Sequence, residues 1–131
     1  MREHLYRGQK TTVKHRWVEG SLLSFSDGTR QICEQDSTST QLLRHWVIPE
    51  TVGQYTGIKD KNGVKIFEGD ILKVTCKETG NSLRIGEVGF EYGNFACGNE
   101  LLSGLVYEGY DTAVEGIGNI HDNPELLEVG K

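Results

Sequence analysis

Glu68 and Asp70 flank Gly69 at the start of an apolar run, and two carboxylates that close together are raw material for sharing a proton or holding a metal. An acid beside a glycine turn has a commoner use, which is to accept hydrogen bonds from neighbouring backbone N–H groups and so hold the turn. That structural role is expected of Asp70 after Gly69 and of Asp60 in the turn Asp60-Lys61-Asn62-Gly63. His121-Asp122 has the composition of a base and its orienting acid, but adjacent strand residues point to opposite faces and no Gly-x-Ser-x-Gly nucleophile motif accompanies it. The phosphate-cradling Gly-x-x-x-x-Gly-Lys-[Ser/Thr] pattern is also missing. Cys33, Cys76 and Cys97 are odd in number and lack Cys-x-x-Cys spacing, and His4, His15, His45 and His121 are scattered. The expectation is a protein without catalytic residues, cofactor or metal, whose thiols serve as small apolar side chains in a reducing cytoplasm.

Binding chemistry has more to stand on. Residues 1–30 carry Arg2, Arg7, Lys10, Lys14, Arg16 and Arg30 against three acids, whereas residues 87–131 carry only Lys131 against nine. An asymmetry of this kind serves either a nucleic-acid or partner surface at one end, or complementarity between opposite halves of a domain or neighbouring subunits. Arg7, Lys10, Lys14 and Arg16, with Trp17 beside them, are the candidate nucleic-acid contacts; Lys14 and Arg16 would share a strand face. Phe90, Tyr92, Phe95, Tyr107 and Tyr110 have the makings of a stacking platform for single strands. Glu91, Glu100, Glu108, Asp111 and Glu115 would repel phosphates there, so core packing or a subunit interface is the better use of these rings.

The elements that must position these residues are mainly strands. Residues 12–18 and 20–25 read as a hairpin or bent strand pair around Glu19-Gly20, followed by the turn Ser26-Asp27-Gly28. Residues 35–41 read as a polar loop and 42–48 as a strand; Pro49 opens a short helical turn. Asn62-Gly63 marks a hairpin, and Asp70–Cys76 alternates as a strand. The apolar parity then breaks at Gly86-Glu87 and again across Val114–Gly118, which calls for bulges or bends of the sort that curl a short sheet into a small barrel. Asn123 and Pro124 have the types wanted at the N-cap and first position of a short terminal helix docked by Leu126 and Leu127.

A length of 131 residues suits about one domain of roughly 100–150 residues. No apolar run of the roughly 18 residues needed for a membrane helix is present, and no membrane partner is expected. Seventeen glycines against two prolines fit many tight turns between short strands.

Two of these segments carry a resemblance. Gln54-Tyr55-Thr56-Gly57-Ile58-Lys59-Asp60-Lys61-Asn62-Gly63, followed by Ile66-Phe67-Glu68-Gly69-Asp70-Ile71, resembles the central signature of the YopX-like proteins of bacteriophages and prophages. Ile117-Gly118-Asn119-Ile120, then Asn123-Pro124-Glu125-Leu126-Leu127, is similar to that family's closing motif, and Tyr6-Arg7-Gly8 and Trp17–Leu22 are weaker matches. Gln9–Arg16 and Gly116 depart from the family pattern. The resemblance implies an SH3-type barrel over residues 54–120 and no particular activity. The resulting expectation is a mainly β chain: an N-terminal β extension over 1–53 with the polar loop 35–41, then an SH3-like barrel domain over 54–131 with a C-terminal helical turn. It would act as a phage or prophage accessory protein by self-association as a homo-oligomer, or by binding a host or phage protein. The alternatives are a nucleic-acid-binding module using the basic N-terminal hairpin, and an enzyme with a carboxylate site.

Overall fold

A computed structural model describes residues 4–13, 15–35 and 41–129. Eleven strands, two short helices and one 3-10 turn make up the described chain, so the expectation of a mainly β protein holds. The chain divides into two compact units, residues 1–55 and 56–131.

In the first unit β1 (Tyr6–Gln9), β2 (Trp17–Ser24), β3 (Arg30–Gln35) and β4 (Leu42–Val47) form an antiparallel run in the order β4-β3-β2-β1, with the start of β5 (Gly53–Lys59) beyond β1. Strand β2 divides its length between two partners. Its first half, Trp17–Gly20, pairs with β1, and its second half, Ser21–Ser24, pairs with β3. Gly20 sits where the partner changes, and a Cβ there would run into the Cys33 carbonyl. The Glu19-Gly20 feature is therefore a bend within one strand. The strand expected over 12–18 begins only at Trp17: residues 11–13 bend, His15 takes a positive φ of 64°, and the Lys10 N–H donates to the Arg16 carbonyl at 2.8 Å to close the loop. Much of the loop expected at 35–41, together with Lys14, lies outside the described residues.

Ile32, Val47 and Tyr55 are buried in this unit. The glycine at position 8 lets β1 lie on Val47, since a Cβ there would sit 3.1 Å from that of the valine. An isolated bridge between Lys10 and Val47 touches the ends of the four-strand run together. Pro49 leads the expected helical turn, a 3-10 turn over Pro49–Thr51. There the Thr51 hydroxyl donates to the Ile48 carbonyl at 2.6 Å and accepts the Gln9 N–H at 2.9 Å.

In the second unit, the later part of β5 pairs with β6 (Lys65–Phe67). A five-stranded antiparallel sheet follows, built from β7 (Asp70–Cys76), β8 (Ser82–Glu91), β9 (Asn94–Cys97), β10 (Glu100–Leu101) and β11 (Thr112–Asn119) in the order β10-β9-β8-β7-β11. The parity break at 114–118 is a bulge: Gly116 faces Leu72 and Gly118 faces Ile71, leaving Ile117 extra. The break at 86–87 has a different cause. There β8 stops pairing with β7 at Glu87 and pairs with β9 from Val88, while the register slip in β8 falls earlier, between Arg84 and Ser82.

These bends gather Ile66, Leu72, Val74, Val88, Cys97 and Val114 into one core. Helix α1 (Leu102–Leu105), not foreseen from the sequence, adds Leu102 and Leu105 to it. Helix α2 (Glu125–Val129) is the terminal helix that was expected. Neither described sheet closes into a barrel. The SH3-type closure expected over 54–120 would need the two end strands to pair, and α1 packs against β9, β10 and β11 instead. Side chains cover the gap that a ladder would have filled.

Gly20→Ala should destabilise the first unit by about 2 kcal/mol or more, because a rigid backbone carbonyl has to give way. Urea unfolding followed by circular dichroism measures this, and a loss under about 0.5 kcal/mol, the usual surface value, would contradict the close approach.

Candidate functional site

Asp60 follows β5 at the mouth of its hairpin with β6, and is only 8% exposed. Gly63 completes the turn with φ of +80°, the left-handed conformation for which glycine is suited. One carboxylate oxygen of Asp60, Oδ1, accepts the N–H groups of Asn62 at 2.9 Å and Val64 at 3.0 Å. The other, Oδ2, accepts the Gly116 N–H at 2.9 Å, reaching the bulge of β11. Burial by itself would raise the carboxyl pKa. The N–H groups of Gly116, Val64 and Asn62, with the charge of Lys61, outweigh it and hold the group below its ordinary 3.8. The Asn62 amide also donates to Glu115 Oε2 at 3.3 Å. Asp60 thus ties a hairpin to a bulged strand.

Asp70 is likewise buried, and its Oδ2 accepts the Phe67 N–H at 2.8 Å across the turn that contains Gly69. Around His121 the organising side chain is Asn119, whose Oδ1 accepts the N–H groups of His121 and Asp122, both at 3.0 Å. Asn123 turns its side-chain oxygen back to the Asn119 N–H at 3.3 Å, and the carbonyls of Asn123 and Pro124 accept the N–H groups of Leu126 and Leu127. Asp60 and Asp70 therefore engage backbone donors, while Asp122 accepts the Asn119 side-chain amide at 3.2 Å. Among the described residues, no three His, Cys, Asp or Glu side chains gather to hold a metal ion. Cys33 and Cys97 are buried; Cys76 is half-buried, and its thiol donates to Asp111 Oδ2 at 3.4 Å.

Of the pair expected to share a strand face, Arg16 precedes β2 and Lys14 lies outside the described residues. The Arg7 guanidinium carbon stands 4.8 Å from the centroid of the Trp17 ring, a cation–π stack. Lys10 is half-buried at the end of β1, and Arg16 is exposed in the loop before β2. The late aromatics split between two fates. Phe95 is buried with Phe90 against it at 4.9 Å, while Tyr92, Tyr107 and Tyr110 are exposed.

A different surface emerges on the first unit. Leu23, Gln31 and Trp46 lie side by side across β2, β3 and β4. Alternation places Leu42 and Arg44 on the same face as Trp46. Trp46 is 50% exposed and Leu42 58%, and Phe25 packs against Trp46 with ring centroids 5.8 Å apart. Strand β4 also ends its sheet. The Trp46 carbonyl and the Ile48 N–H are taken by Thr11 and Gln9, so only the earlier part of that edge, around Leu42 and Arg44, extends past these bonds. Sequence reading identified 42–48 as a strand and missed this face. The available signal was a strand apolar on both sides, with Leu42 and Trp46 on one and Leu43 and Val47 on the other.

The family model described as YopX protein matches residues 5–128. The fold is similar to the crystal structure of protein EF1440 from Enterococcus faecalis, with 26% identity and a TM-score of 0.62, covering 97% of this chain and 99% of that one. It is also similar to the crystal structure of protein yopX from Bacillus subtilis, with 20% identity and a TM-score of 0.56 over 97% and 99% of the two chains. No curated protein matches the chain.

Asp60→Ala strands backbone donors in the β5–β6 hairpin and the β11 bulge, and should lower stability by about 2–4 kcal/mol in chemical denaturation. Because the folded-state pKa is depressed, the carboxylate's stabilisation is fully present above its unfolded pKa and is lost as pH falls through the lower, folded one. Acid titration of stability should therefore be steeper below the ordinary carboxylate range in the native chain than in Asp60→Asn. Equal slopes would contradict this role.

Proposed function

Since the chain belongs to the YopX family, we propose that it is a bacteriophage or prophage accessory protein of the host cytoplasm that works by binding, without catalysis, and first of all by binding copies of itself. The observation that carries this reading is the exposed row of Leu23, Phe25, Trp46 and Leu42 beside the open edge of β4. An uncovered apolar sheet face next to a strand edge is the surface on which a second chain gains most, through apolar burial and through main-chain hydrogen bonds. Charge supports a second copy as the occupant, because the basic first 30 residues would complement the acidic residues 87–131 of a neighbouring subunit. A host or phage protein on the same face is the alternative occupant. The bulges of β8 and β11 support reading residues 54–120 as an opened relative of an SH3-type barrel.

Nucleic-acid binding through Arg7, Lys10, Lys14 and Arg16 is the weaker reading. Arg7 already stacks on Trp17, which leaves fewer cations to release counterions from phosphates.

Size-exclusion chromatography with light scattering should give a mass above the 14.6 kDa of one chain. Leu42→Lys with Trp46→Lys should return it to a monomer with unchanged circular dichroism. A native chain that stays monomeric at high concentration would overturn self-association. A double variant that still assembles would overturn the choice of face.

A further inference from the structure

A cavity of about 200 Å³ opens in the second unit between the β5–β6 hairpin, the end of β7 and the start of β11. Lys59, Lys61 and Lys77 stand around it, while Val106 and Val114 supply an apolar floor. All three lysines are exposed. Among the described residues none of them has a carboxylate within ion-pair distance, and the one hydrogen bond of a lysine ammonium here is from Lys77 to the Glu108 carbonyl at 3.5 Å. The acids nearby keep their charge but hydrogen-bond to other groups. Asp60, the one carboxylate in the cavity wall, accepts the backbone N–H groups of Asn62, Val64 and Gly116. Asp111 accepts the Cys76 thiol, and Glu115 accepts the Asn62 amide. Thr112, also in the lining, gives its hydroxyl proton to the Leu105 carbonyl at 2.8 Å.

We propose that this cavity binds a phosphate monoester of a small molecule, with the phosphate held by Lys59, Lys61 and Lys77 and the carbon-bearing part lying on Val106 and Val114. Three flexible ammonium groups suit a compact, doubly charged group with several acceptor oxygens, for which lysine serves as a mobile point charge. A planar carboxylate has fewer oxygens to share among three donors. The cavity is smaller than the roughly 300–1,000 Å³ of drug-sized sites, so the ester group is short. The apolar floor distinguishes an ester from free inorganic phosphate, because only the ester brings carbon to cover it. This inference does not rest on the self-association reading, whose apolar face lies in the first unit.

Titration of the full-length ¹⁵N-labelled chain, followed by amide NMR at constant ionic strength, tests it with phenyl phosphate, inorganic phosphate, acetate and chloride. Phenyl phosphate should give saturable shifts at residues 59–61, 77 and 112–114, bind more tightly than inorganic phosphate, and leave acetate and chloride without saturation. Lys61→Ala and Lys77→Ala should each weaken it about tenfold, the effect of losing one charge-assisted bond, whereas Lys73→Ala, outside the cavity, should not. If Lys→Ala disturbs the amide spectrum, Lys→Gln at the same positions gives the same comparison. Shifts that chloride reproduces, or that ignore the Lys61 and Lys77 variants, would overturn the site. Inorganic phosphate binding as tightly as phenyl phosphate would overturn the ester assignment. A short oligonucleotide binding here while phenyl phosphate does not would overturn the small-molecule class.

Discussion

The carboxylate of Asp60 joins parts of the second unit that are far apart in sequence. One side chain at a hairpin mouth accepts two N–H groups of its own turn and a third from Gly116 in β11. Bulged strands leave backbone donors without a ladder partner, and an unmet donor in a buried position costs about 1–3 kcal/mol. Asp60 meets that need at the bulge where β11 slips register against β7. It works beside the Lys61 N–H, which donates to the Val114 carbonyl at 3.0 Å, and the Asn62 amide, which donates to Glu115, in linking the hairpin to the last strand. The N–H groups that Asp60 accepts keep it ionised in the wall of the cavity that Lys59, Lys61 and Lys77 surround.

The second constraint is curvature. Both β2 and β8 change partner partway along, at Gly20 and between Glu87 and Val88. A strand serving two neighbours in succession must bend, and small residues at the turn-over point let backbones approach. In the first unit this draws the end of β1 onto Val47. In the second, α1 fills the place that a further ladder would have taken, and β10 and β11 remain the ends of an open sheet. Open sheets leave edges, and the edge at β4 lies beside exposed Trp46 and Leu42. Assembly on that face would follow from the manner in which the sheet is bent.

Much of this was legible beforehand because it is written in local chemistry. Asn62-Gly63 marks a hairpin through the backbone freedom of glycine, Pro49 starts a helical turn through its fixed φ, and the parity break at Val114–Gly118 announces a bulge. Asp60 and Asp70 were readable as turn acids, because an acid two or three residues from the donors it serves needs no distant information. The strand expected at 12–18 failed for the converse reason. Its alternation was real, but Thr11 is drawn to the Trp46 carbonyl, and that bond turns the segment into a loop. Helix α1 was invisible because Leu102 and Leu105 span one turn, too short to show a helical period.

By itself the sequence determined the β class, the turns at Asn62-Gly63 and Pro49, the family and the absence of a long apolar helical run, since each depends on residue type and short-range spacing. Only the tertiary structure decided that Asp60 reaches Gly116, that neither sheet closes, that Leu42 and Trp46 share an uncovered face, and that Lys59, Lys61 and Lys77 surround one cavity. These four outcomes depend on where bent strands bring residues far apart along the chain. Spacing along one strand states which way a side chain points, but not what the next strand places opposite it.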